Sequence, residues 1–134
     1  MIFLPEALRL SIGGEGEREY PDECCGVLLG RLEESGAKIV TEILPVRNSR
    51  EDGERYHRFV IEPDDFMRAE LFARKRGLDV LGFYHSHPDH PSSPSDYDRE
   101  HALPFYSYVI IAVDSGKASE MTSWELTPDR GRFV

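Results

Sequence analysis

The sequence predicts an α/β (α+β) fold, in which a mixed, curved β-sheet is flanked by two main helices within one domain over residues 1–134. Three observations predict it. Short runs rich in apolar and β-branched residues at 24–30, 38–46, 79–84, 108–113 and 121–126 are bounded by Gly, Pro and polar turns. Apolar residues recur at helical spacing in two other stretches, near 5–12 and 63–76. With 134 residues, 40% of them hydrophobic, the chain can bury one continuous core, and its strand and helix signals are interleaved around a single sheet.

Taken in order, Pro5 stands at a first helical position, and Leu8 and Ile12 are four apart on one face. Gly13-Gly14 should weaken or end that helix, whose far limit is Glu19. Cys24-Cys25-Gly26-Val27-Leu28-Leu29-Gly30 is a short apolar run suited to a strand buried on both faces, with Glu23 at its entrance. A polar turn at Glu33–Gly36 joins it to a second strand over Lys38–Val46, predicting a hairpin. Residues 47–54 read as an exposed loop before a third strand near 56–61. From Pro63 the best-marked helix begins, with Asp64 and Asp65 in its first turn and Arg74, Lys75, Arg76 and Gly77 at its end. The strand Asp79–Tyr84 leads into His85-Ser86-His87-Pro88, where proline should stop regular pairing. Ser95 then caps a helix over Asp96–Asp98, and two strands complete the chain.

The balance of 25 acidic and 16 basic residues, a formal charge of −9, argues against a phosphate backbone as partner. No apolar run approaches the roughly 20 residues that a membrane span needs, and the first residues lack a basic leader followed by an apolar segment. A cytoplasmic protein that binds neither nucleic acid nor membrane is expected. Cys24 and Cys25 are adjacent, so their Cα atoms lie about 3.8 Å apart, below the usual disulfide range of about 4.4–6.8 Å. Both read as reduced thiols packed in a strand.

The chemistry-bearing pattern is His85-x-His87-Pro88 followed by Ser95 and Asp98. Two histidines at i and i+2 of an extended segment point to one side, so both imidazoles can reach one ion. Asp98 can supply a third ligand across a loop stiffened by Pro88, Pro91 and Pro94. Two imidazoles and a carboxylate suit a catalytic Zn2+ with one position left for water, and peptide hydrolysis then needs a nearby base. Ligands at the end of a strand also suggest an open groove beside a sheet edge, to which an extended protein tail could add.

Read as His-x-His-Pro, six residues, Ser, two residues, Asp, this segment resembles the JAMM (MPN+) motif at every fixed position. Pro21–Gly30 is similar to the family's upstream glutamate element, and the similarity in element order covers essentially the whole chain. The resemblance implies an MPN/JAMM fold related to the cytidine deaminase core. It implies one zinc per chain on His85, His87 and Asp98, with Glu23 as general acid/base and the Ser95 hydroxyl helping to bind the oxyanion. It further implies cleavage of an amide or isopeptide bond after the Gly-Gly tail of a ubiquitin-like or sulfur-carrier protein. The chain looks like the compact, standalone prokaryotic kind that frees cysteine from a sulfur carrier.

Three other readings compete. A non-catalytic MPN scaffold typically lacks a zinc ligand, whereas every motif position is present. His85-Ser86-His87-Pro88-Asp89-His90 also fits the His-x-His-x-Asp-His pattern of metallo-β-lactamases, but that fold is longer and needs a further downstream histidine. Zinc deaminases require His-x-Glu and Pro-Cys-x-x-Cys, both absent. His57, His90 and His101 are expected to stay outside the site.

Overall fold

The computed structural model describes residues 1–46 and 63–134; the loop expected at 47–54 and the strand expected at 56–61 lie outside the described residues. The elements are β1 (Ile2–Phe3), α1 (Glu6–Glu19), β2 (Cys25–Leu32), β3 (Lys38–Val46), α2 (Pro63–Lys75), β4 (Asp79–Pro88), α3 (Asp96–His101), β5 (Ser107–Asp114) and β6 (Lys117–Glu125). The strands form one mixed sheet in the order β1-β3-β2-β4-β5-β6.

The hairpin of β2 and β3 forms as expected, and Gly36 takes φ +91° in its turn, where a Cβ would be strained. β4 joins β2 antiparallel and β5 parallel, so it lies inside the sheet. Gly82 makes the second junction possible: a Cβ there would sit 2.0 Å from the Ser107 carbonyl oxygen. Two cores flank the sheet. On one face α1 packs over Ile12, Leu28, Tyr84, Ile111 and Val113. On the other, α2 contributes Ala69 and Ala73 to a cluster with Val27, Leu29, Phe83 and Tyr108. Side-chain alternation along β4 therefore turns Phe83, His85 and His87 toward the α2 side, and Tyr84 and Ser86 toward α1.

α1 runs through Gly13-Gly14 to Glu19, the far limit that the sequence allowed. The reason is packing: Gly13 and Gly16 are buried against Ala118, Ile111 and Val113, and a Cβ on Gly16 would meet Val113 at 3.0 Å. The glycines let the helix lie close to the sheet, and burial offsets their poor propensity. β4 ends at Pro88, four residues past Tyr84, and stays paired with β5 up to Pro88↔Val113. The next ladder bond comes from the Asp89 N–H to the Val113 carbonyl at 2.8 Å, so position 88 presents its backbone to the other side and its missing N–H costs the ladder nothing. β6 begins at Lys117, four residues before Met121, because its first turn of sequence is polar edge rather than core. β1, only two residues long and parallel to β3, is too short to leave a pattern. Among the described residues, no helix is long and apolar enough to cross a membrane.

Candidate metal centre

His85 and His87 leave the sheet on the α2 side at the end of β4, both buried, with 1% and 7% of their surfaces exposed. Asp98 arrives from α3. The His85 Nε2 to His87 Nε2 distance is 3.1 Å, His85 Nε2 to Asp98 Oδ2 is 3.3 Å, and His87 Nε2 to Asp98 Oδ2 is 3.1 Å. Zn–N and Zn–O bonds of about 2.0–2.2 Å at tetrahedral angles put neighbouring ligand atoms about 3.3–3.6 Å apart. The observed triangle is close to one face of such a tetrahedron, and its fourth corner remains for water or substrate. The donor set and its spacing thus fit zinc.

Local structure fixes each ligand. His87 Nδ1–H donates to the Pro91 carbonyl at 2.8 Å, which leaves the Nε2 lone pair for the metal. Asp98 is the third residue of α3, and a capping box ties it down: Ser95 Oγ accepts from the Asp98 N–H at 3.0 Å, and Asp98 Oδ2 accepts from the Ser95 N–H at 2.9 Å. Electrostatics point the same way. Burial alone would raise the Asp98 carboxyl, but the adjacent His85, hydrogen bonds from both imidazoles and the Ser95 N–H hold it well below the usual carboxylate range. Burial also lowers the His85 imidazole, more than Asp98 raises it, which favours the neutral, ligating form.

Glu23 is buried where the chain enters β2. It stands two residues before Cys25, which pairs with His85, and the Ser86 N–H donates to the Cys24 carbonyl one step further out. Ser95 caps α3, and its Oγ is engaged as an acceptor while its hydroxyl hydrogen is not consumed by that bond. Cys24 and Cys25 are free, buried thiols; burial pushes Cys24 up to about 12 and Cys25 higher still, so neither is a thiolate ligand or nucleophile.

The metallo-β-lactamase pattern does not assemble. Among the described residues the His85, His87 and Asp98 group is the cluster suited to a metal. Asp89 instead accepts from the Tyr20 hydroxyl at 2.6 Å and the Ser115 N–H at 2.7 Å, and His90 is exposed. His101 stacks on Tyr97, away from the triad. The ligands stand at the end of β4, where the β2 ladder stops at His85 while the β5 ladder continues to Pro88. Sequence reasoning missed Ser86, which is buried behind the histidines and accepts the Cys24 N–H at 2.8 Å. It also missed the Pro91 carbonyl, because a backbone acceptor has no residue-type signature.

A family model described as prokaryotic homologs of the JAB domain matches residues 5–127. The chain belongs to the prokaryotic JAB family. This JAB domain is accordingly a compact JAMM-type peptidase. It is 37% identical over 113 residues to a desampylase of Haloferax volcanii, covering 84% of this chain and 75% of that protein. It is 28% identical over 118 residues to a probable TtuB-protein conjugate cleaving protease of Thermus thermophilus, covering 88% and 74%. A Salinibacter ruber protein of known solution structure matches all of the chain and 87% of its own, with TM-score 0.76 and 38% identity. A JAB1/MPN domain protein from Archaeoglobus fulgidus, 19% identical, shares the fold with TM-score 0.56 over 93% of this chain and 87% of its own.

Proposed function

We propose that this JAB domain is a zinc-dependent isopeptidase that cleaves conjugates of a ubiquitin-like or sulfur-carrier protein at its Gly-Gly tail. One zinc is held by His85, His87 and Asp98; when bound it supplies a Lewis acid and lowers the pKa of water toward about 7. Glu23, buried just before β2, accepts the proton of the attacking water and returns it to the leaving amine. The hydroxyl of Ser95 donates to the carbonyl oxygen as negative charge develops there. The fit of the three ligand atoms to a tetrahedral face carries the reading of the metal. What supports the substrate class is similarity to two relatives whose names describe removal of protein conjugates. With His85 and His87 so deeply set, a tail that ends in two glycines brings the least side-chain bulk to the scissile bond.

The test offers purified enzyme a ubiquitin-like carrier joined through its Gly-Gly terminus to a lysine or cysteine, with products followed by mass spectrometry. The parent cleaves after the second glycine, and Glu23→Gln retains one equivalent of zinc while losing about 100- to 10,000-fold in turnover. Full activity of Glu23→Gln removes that residue from the mechanism. A protein that binds zinc yet cleaves no Gly-Gly adduct sinks the substrate class.

A further inference from the structure

The carbonyl that orients His87 lies in the loop between β4 and α3, which has no ladder to hold it, yet the next residue is fixed from three directions. Ser92 is 1% exposed. Its carbonyl accepts from the Thr122 hydroxyl and from the Trp124 indole N–H at 3.3 Å, and that indole N–H also lies 2.7 Å from Thr122 Oγ1. Ser92 Oγ donates to Glu120 at 2.8 Å. Residues 120, 122 and 124 alternate along β6, so one face of this edge strand supplies every contact.

We propose that Thr122 and Trp124 are positioning residues of the metal centre. An imidazole held by a carbonyl is aimed only as well as that carbonyl is. Between the Pro91 and Ser92 oxygens only two torsions are soft, φ and ψ of Ser92, because the peptide joining the two residues is planar. Pinning Ser92 O with two donors therefore limits how far Pro91 O can swing, and with it the direction of His87 Nε2. The two β6 side chains touch no reacting atom; they act through Ser92, Pro91 and His87. This inference rests on the reading of the triad as a zinc site.

The experiment measures zinc affinity of the whole protein by competition with a chromogenic chelator, alongside the melting temperature of the metal-free form. Thr122→Val, which keeps side-chain shape, combined with Trp124→Phe, which keeps an aromatic ring, removes both donors and is expected to weaken zinc binding about 10- to 100-fold, the usual effect of disturbing groups that orient a metal ligand. Thr122→Ser keeps the hydroxyl and should bind zinc like the parent, whereas Thr122→Val alone should bind it more weakly. Ile12→Val, buried on the opposite face of the sheet, should lower the melting temperature and leave zinc affinity unchanged. Parental affinity in the double variant overturns the proposal. If the double variant fails to fold, Thr122→Val decides: parental affinity there overturns the proposal, and weakening rescued by Thr122→Ser supports it. Should His87→Ala bind zinc as well as the parent, the metal site itself has been misread.

Discussion

Glu15 projects from α1 to accept the Tyr84 hydroxyl at 2.7 Å, on the sheet face away from the metal ligands. Burial pushes its carboxyl above the ordinary value, and the Tyr84 hydrogen bond recovers only part of that. A carboxyl raised in the folded state binds more protons folded than unfolded. Its contribution to stability is therefore present at low pH and lost as the pH climbs from the ordinary value through the raised one. Glu15→Gln keeps an oxygen for Tyr84 and removes the charge. That variant should melt higher than the parent near pH 7, with the gap closing toward about pH 4; a gap independent of pH would refute this account. Ser86→Ala strands the buried Cys24 N–H and should cost about 1–3 kcal/mol in denaturant titration while one equivalent of zinc still binds. Normal stability would mean that the N–H finds another acceptor. The grouping of His85, His87 and Asp98 was legible because residue type and spacing are local signals. Ser86 and Ser92 were not, since their meaning depends on partners 62 and about 30 residues away in sequence.

Among the elements, α3 is short but sets the third ligand, and its cap has two separable consequences. Ser95→Ala removes the cap acceptor and should cost about 0.5–2 kcal/mol and weaken zinc binding, because Asp98 loses the geometry that the capping box imposes. Ser95→Gly should cost only a few tenths of a kcal/mol, since glycine is tolerated at this position. Both variants lack the Oγ that fixes Asp98, so turnover is compared at saturating zinc: if the hydroxyl also serves the oxyanion, Ser95→Gly will still lose about 100- to 1,000-fold there, whereas parental turnover would confine Ser95 to capping. Helix α2 and the β2–β3 hairpin were read from sequence with nearly their final bounds, because apolar periodicity, end charges and turn residues agree there. The end of α1 and the reach of β4 depended instead on what packs against Gly16 and which way position 88 faces, and neither is written in local sequence.

For the molecule as a whole, a metal on His85, His87 and Asp98 would cross-link β4 and α3. Zinc at 100 times its dissociation constant should add about 2.7 kcal/mol of stability, a rise of very roughly 10 °C for a domain of this size. Chelation should reverse it, and a melting temperature indifferent to chelator would argue that the three ligands hold no ion. Fold class was legible, because one sheet with helices is what the interleaved patterns allow. The strand order, with a parallel β4–β5 pair inside an otherwise antiparallel run from β3 to β6, was not, since apolar runs do not name their neighbours. That order also governs the timing of synthesis. The β2–β3 hairpin can close as soon as Val46 has been made, yet the other edge of β2, whose first six residues end up fully buried, must wait for β4. Until Asp79–Pro88 leaves the ribosome, the nascent chain carries an apolar strand with one open side, which is the interval in which it is most exposed to misassociation and most in need of a chaperone.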